Sequence, residues 1–152
     1  MHISFICTGN ICRSPMAALV FREQLRRAGL DGQVEVSSAG TGPWHVGEPA
    51  DPRTAKVLAD NGYPTEHVAA QIDDHHLDAD LLVAMDAGHL SAVRRLADDP
   101  SKVRLMRSFD AGAEDGAEVP DPYYGGVNGF DDVLAMVEAA TPGLLDWVRE
   151  RL

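Results

Sequence analysis

Apolar positions fall along this chain in two alternating rhythms. Short apolar runs recur at residues 2–6 (Ile3, Phe5, Ile6), 33–38 (Val34, Val36), 80–85 (Leu81, Leu82, Val83, Ala84, Met85) and 103–106, and they read as strands. Between them the period lengthens to that of a helix. Residues 13–28 set Ala17, Phe21 and Leu25 four apart, and Gly29 follows as a stop signal. Glu23 and Arg27 make an i,i+4 pair there, and Arg26 and Arg27 suit the negative end of the helix. Asp51-Pro52 joins an N-cap residue to a proline at the first helical position and opens a helix to about Asn61-Gly62. Asp86 is placed to cap a helix through Ala97. Asp131 to Ala140 and Pro142 to Leu152 make a C-terminal helical region, with Thr141-Pro142 predicted to kink or restart it. Strands alternating with helices predict a parallel sheet covered on both faces. Ligands of such sheets sit outside the carboxyl ends of the strands.

The first apolar run delivers Cys7 to that end. From there the chain reads Cys7-Thr8-Gly9-Asn10-Ile11-Cys12-Arg13-Ser14 and passes into the first helical pattern. A loop between strand and helix can turn the backbone N–H groups of residues 8 to 13 inward around an anion. Gly9 and Asn10 are the residue types that accept the positive φ of a tight anion nest. The field that attracts a phosphate also lowers the pKa of a thiol, from about 8.5 to roughly 3.5–7.5 at helix N-termini or beside cations. A free cysteine near a strand end is commonly plain core, but Arg13 and Ser14 at fixed offsets favour a phosphate cradle with a nucleophile at its base. No Gly-x4-Gly-Lys-Ser/Thr occurs, so the loop is not a nucleotide P-loop, and Cys7 and Cys12 are spaced too widely for a thioredoxin-type site.

Composition narrows the setting. The 152 residues suit one domain, and 45% apolar with 24% charged residues is ordinary for a globular protein. Two cysteines are too few for a disulfide framework, which points to a reducing compartment. The start of the chain has no basic segment before an apolar one, and no apolar stretch has membrane-spanning length. A cytoplasmic monomer or weak dimer is expected. The net charge of −11 argues against nucleic acid or an anionic membrane as partner. Phosphate affinity must then come locally, from the loop and Arg13.

Two Gly- and Pro-rich stretches, 39–50 and 108–129, look like functional loops. The second carries Asp121-Pro122-Tyr123-Tyr124-Gly125-Gly126. Asp-Pro is a common turn opener, but paired tyrosines beside it suggest a binding surface. Cleavage of a phosphate ester by a thiolate needs a proton donor for the leaving oxygen, and Asp121 is the candidate.

These stretches together resemble the low-molecular-weight protein-tyrosine phosphatases of bacterial type. Cys7–Pro15 matches the signature loop of that family and Asp121–Tyr124 its acid loop. Ser37–Thr41 with Trp44, His45, Gly47 and Pro49, then His67–Gln71 and Ala84–Asp86, resemble further blocks. Ala70 departs from the pattern, where many members carry Arg. The resemblance implies a single domain over residues 1–152, α/β, with a four-stranded parallel sheet between helical layers, flavodoxin-like or Rossmann-like. It implies hydrolysis of protein phosphotyrosine through a phosphocysteine on Cys7. Thr8, Gly9, Asn10, Ile11, Cys12 and Arg13 would bind the phosphate, Arg13 as a bidentate clamp, with Asp121 as general acid and base. Ser14 would steady the thiolate, and Asn10 would hold the loop with Ser38 and His67. Trp44, Tyr123 and Tyr124 would wall the pocket. Cys12 could pair with Cys7 on oxidation, or simply pack. Expected partners are tyrosine-phosphorylated proteins, inorganic phosphate and oxyanion inhibitors. No cofactor is expected, and His75-His76 among acidic residues is not expected to bind a metal, since neighbours on a helix point apart. A thiol-dependent arsenate reductase would need downstream cysteines, and residues 13–152 have none. A non-catalytic phosphotyrosine-binding module would need neither Cys7 nor Asp121.

Overall fold

A computed structural model describes residues 1–125 and 129–152. Four strands, β1 (His2–Cys7), β2 (Glu35–Gly40), β3 (Leu81–Ala84) and β4 (Val103–Leu105), form one parallel sheet in the order β2-β1-β3-β4. The helices are α1 (Arg13–Arg27), α2 (Pro52–Asp60), a single turn α3 (Asp74–Leu77), α4 (Ala87–Leu96) and α5 (Gly129–Arg151). The period of two along β1 splits the core. Ile3, Phe5 and Cys7 join the larger cluster with α1 and α5, while Ile6 joins Leu82, Val93 and Val103 on the α4 side. That is the expected three-layer arrangement. The strand order reverses direction at β1 and β3, so their carboxyl ends open a crevice. Among the described residues no helix is long and apolar enough to cross a membrane.

Three expectations need adjustment. The C-terminal region is one helix from Gly129 to Arg151, running through Pro142. A mid-helix proline costs about 3 kcal/mol, but Val133, Val137, Ala140, Leu144 and Val148 form one buried stripe across it, and each Val or Leu side chain in it contributes about 1.5–3 kcal/mol on burial. Gly143, next to Pro142, lets α5 press against the Phe109 carbonyl, where a Cβ would collide. Second, β2 lies two residues beyond the predicted run. Its pairing runs from His2↔Glu35 to Cys7↔Gly40, which brings Gly40 so near the loop that a Cβ would stand 2.6 Å from the Thr8 carbonyl oxygen. Third, Glu23 pairs mainly with Arg26, whose Nε donates at 2.6 and 3.0 Å, rather than with Arg27 at 3.9 Å.

Candidate active site

The loop after β1 is tied down from outside. The Cys7 carbonyl accepts from the Thr41 amide (2.9 Å), Thr8 from Gly42 (3.1 Å), Ile11 from Asp51 (2.9 Å) and Cys12 from Met16 (3.2 Å). The Asn10 carbonyl accepts from His67 Nε2 at 2.7 Å, which fixes the proton on that ring nitrogen. Asn10 itself is fully buried at φ 59°, the left-handed geometry its type tolerates. Its Oδ1 accepts from the Ala70 amide (2.9 Å), and its Nδ2 donates to Ser38 Oγ (3.0 Å) and Ser14 Oγ (2.8 Å). An amide nitrogen only donates, so the Ser14 hydroxyl proton is free to point at Cys7 Sγ, 2.9 Å away. Ala70 reaches the loop through its backbone alone, so the departure there leaves this network intact. Burial is the main cause holding His67 below the ordinary histidine range, with Arg22 adding to it against the Asn10 bond.

Arg13 opens α1 and is almost wholly buried. Nη1 donates to Asp86 Oδ2 (2.9 Å) and to the Val119 carbonyl (3.1 Å), while Nη2 reaches Thr8 Oγ1 (3.4 Å) and lies 3.7 Å from Asp121 Oδ2. Asp86 follows β3 and also caps α4, accepting from the His89 amide at 3.0 Å. Burial pushes the Asp86 carboxyl up, but the His89 amide and ring and the Arg13 guanidinium outweigh it and keep it below the usual range. His89 Nε2 meets Thr8 Oγ1 at 2.8 Å, and burial above all holds its ring below the usual histidine range. Its Nδ1 is 3.2 Å from Asp86 Oδ1 but outside hydrogen-bond geometry. No acidic residue occupies the first turn of α1 and no side chain caps it, so its positive end faces the loop unopposed.

Across the crevice, Asp121 Oδ1 accepts from the Tyr123 amide at 3.0 Å in a local turn, and its side chain is half exposed. The Val119 amide anchors the approach on the Met85 carbonyl at 2.8 Å. Beyond Asp121, Arg53 of α2 acts as a strap. It grips buried Asp51 through Nε and Nη2 (both 3.0 Å), donates to the Tyr123 carbonyl (3.2 Å), and stacks on Tyr123 and Phe130 at 5.2 and 4.6 Å. The Asp51 amide is the same one that binds Ile11, so one chain of contacts joins the two loops. Gly126, the last residue of the Asp121–Gly126 stretch, lies outside the described residues.

Cys7, Thr8, Gly9, Ile11, Cys12, Arg13, Trp44, Asp121, Tyr123 and Tyr124 line one cleft of about 370 Å³, together with His45. Asn10, Ser14, Ser38 and His67 stand behind it as the bonded network above. Trp44 and Tyr124 are 69% and 90% exposed and stand at its rim. Both cysteines are free and buried, and burial with the Asp51 charge pushes the Cys12 thiol up to about 12. Asp86, His89 and Arg53 were not picked out from sequence as site residues. Asp86 carries a usable signal, since it lies two residues past β3 at the point where the sheet order reverses.

The model of the family described as low molecular weight phosphotyrosine protein phosphatase matches residues 2–152. The chain is 57% identical to a low molecular weight protein-tyrosine-phosphatase of Streptomyces coelicolor, covering 99% of this chain and 95% of that protein. It is 54% identical to low molecular weight protein-tyrosine phosphatase A of Mycobacterium tuberculosis, covering 100% and 94%. Its fold superposes on the crystal structure of a protein tyrosine phosphatase from Entamoeba histolytica, with Hepes in the active site, at a TM-score of 0.93. That pair shares 32% identity and covers 99% and 97% of the two chains.

Proposed function

The chain belongs to the low-molecular-weight phosphotyrosine protein phosphatase family and is a phosphatase, and from that premise we propose that it hydrolyses protein phosphotyrosine through a phosphocysteine on Cys7. The observation that carries this reading is the convergence on one cleft of the Cys7 thiol, the Arg13 guanidinium and the Asp121 carboxyl, with Arg13 and Asp121 3.7 Å apart. Five of the loop carbonyls are bonded away from the cleft, which leaves the amides of Thr8 to Arg13 to face an anion.

The Cys7 thiolate, steadied by the Ser14 hydroxyl, attacks phosphorus. The bond from phosphorus to the tyrosine oxygen breaks, and Asp121 gives that oxygen its proton. Arg13, held along one edge by Asp86 and Val119, turns its Nη2 side to the equatorial oxygens, which gather charge in the transition state. Water then attacks the phosphocysteine, Asp121 takes its proton, and phosphate leaves with the thiolate restored. No step calls for a metal or an organic cofactor. The Cys7 thiol is buried at the base of a cleft with aromatic residues at its mouth, so a long aryl phosphate reaches it better than a phosphoserine does. The proposed substrates are tyrosine-phosphorylated cytoplasmic proteins, and vanadate-like oxyanions would compete for the loop. The proposed working form is a monomer or weak dimer.

The test is turnover of matched phosphotyrosine and phosphoserine peptides by wild type and Cys7→Ser. The expected result is a strong preference for phosphotyrosine, inhibition by vanadate, and at least about a 10⁴-fold loss in Cys7→Ser. Undiminished turnover in that variant would overturn the nucleophile.

A further inference from the structure

At the opposite end of the sheet lies a second cluster of side chains with nothing to do in the reaction. His2 opens β1 and Glu35 opens β2, and the two are direct register partners. Neighbours in register on parallel strands point to the same face. His75, on α3, folds over them. Its Nε2 is 2.7 Å from Glu35 Oε2, the His2 Nε2 is 3.8 Å from the same oxygen, and the two imidazoles stack at 4.8 Å. One ligand atom from each of the three lies within 4.8 Å of the others, the one such group of three among the described residues.

We propose that His2, Glu35 and His75 form a surface binding site for a divalent transition metal ion of the zinc class, about 16 Å along β1 from the thiol. A tetrahedral ion with bonds of 2.0–2.1 Å holds its ligand atoms about 3.4 Å apart. The two separations of 2.7 and 3.8 Å bracket that figure. Two imidazoles and one carboxylate are the donors of a borderline ion, and a fourth position stays open to water. Magnesium and calcium prefer all-oxygen shells and are not expected to bind.

The supports around the site are specific. His2 is mostly buried and its amide donates to Asp80 Oδ2 at 2.8 Å, while its Nε2, 2.6 Å from Ser37 Oγ, must give up that hydrogen bond to take the ion. His76, the sequence neighbour, is engaged elsewhere. Its Nδ1 accepts from the Asp73 amide at 3.2 Å in the capping box of α3. The histidine pair in the sequence is thus split, and only His75 turns toward β1 and β2. A groove lined by His2, Glu35, Asp31 and Asp80 borders the cluster and gives an acidic approach for a cation. Binding exchanges the His75–Glu35 and His2–Ser37 hydrogen bonds for metal bonds and releases any proton carried by the ligating nitrogens. The ion would pin the starts of β1, β2 and α3 together.

The experiment is calorimetric titration of Zn²⁺ into wild type, Glu35→Gln, His75→Ala and Cys7→Ser. One site is expected in wild type and in Cys7→Ser, weakened at least tenfold in Glu35→Gln and in His75→Ala. The imidazole NMR signals of His2 and His75 should shift with Zn²⁺ while those of His45 stay fixed. A hundredfold excess over Kd should raise the thermal midpoint of wild type by roughly 5–10 °C. His75 and Glu35 are exposed, so their variants should fold and keep their metal-free turnover. Unchanged Zn²⁺ affinity in His75→Ala, binding lost only in Cys7→Ser, or no saturable binding in wild type would each overturn the site.

Discussion

The two loops that meet in the cleft are built on opposite principles. The loop from Cys7 to Ser14 is nearly all buried at its polar centre, and Asn10 alone has bonds to His67, Ala70, Ser38 and Ser14. Among the described residues, the loop around Asp121 is held by two local turn bonds (the Tyr123 amide to Asp121 and the Gly125 amide to the Pro122 carbonyl), a 3.7 Å approach to Arg13 and the Arg53 strap, and Tyr124 beside it is 90% exposed. Donors that meet developing charge gain most when they need no reorganisation. A proton donor that must also admit and release a bulky substrate gains from freedom to move. On the proposed mechanism, rigidity is therefore concentrated where charge is stabilised, and looseness where substrate passes.

The largest effect expected within this contrast comes from the cradle. Arg13→Lys should lower kcat on para-nitrophenyl phosphate by about 10²–10³-fold, since an ammonium cannot span Asp86, Val119 and two phosphate oxygens as a planar fork does. A Lys variant within a few-fold of wild type would show that only charge matters there. Asn10→Ala comes next. It places alanine, which tolerates the left-handed region less well than asparagine, at φ 59° and orphans the Ala70 amide, for a loss of roughly 3 kcal/mol in unfolding free energy. Activity should fall about tenfold as the Ser14–Cys7 contact loosens. Asn10→Gly relieves the backbone strain without restoring the bonds, so it should recover stability more than activity. Equal behaviour of the two variants in denaturant melts and assays would remove the network from the account.

The smallest effect belongs to the arm. Arg53→Ala removes the strap between Asp51 and Tyr123, and kcat should fall by about fivefold, while the inhibition constant for vanadate stays within twofold because the cradle is untouched. A loss of vanadate affinity matching the loss of kcat would mean that the two loops are not separable.

The sequence exposes the first region more fully than the second, for a physical reason. Cradle residues are contiguous from Cys7 to Ser14, and Asn10 advertises its backbone by type, so local rules find them. Ser38 and His67 required the family resemblance, because the bonds that bring them to Asn10 span 28 and 57 residues. Asp86 reads locally as a helix cap, which it is. Its second bond, to Arg13, crosses 73 residues and depends on β3 lying beside β1. Arg53 lies on a helix face where a lone arginine reads as solvated, and only Asp51 and Tyr123 give it a role. Pro142 shows the converse failure, since a local breaker is overruled by an apolar stripe continuing on both sides.

The division between a fixed cradle and a movable acid is tested most directly by a leaving-group series. Aryl phosphates of graded phenol acidity would be turned over by wild type and by Asp121→Asn. The account predicts that the variant loses about 10²–10³-fold on phenyl phosphate but less than tenfold on esters of strongly acidic phenols, which depart as anions unaided. Equal losses across the series would contradict it, assigning the proton to another donor and leaving the Asp121 loop as a substrate wall.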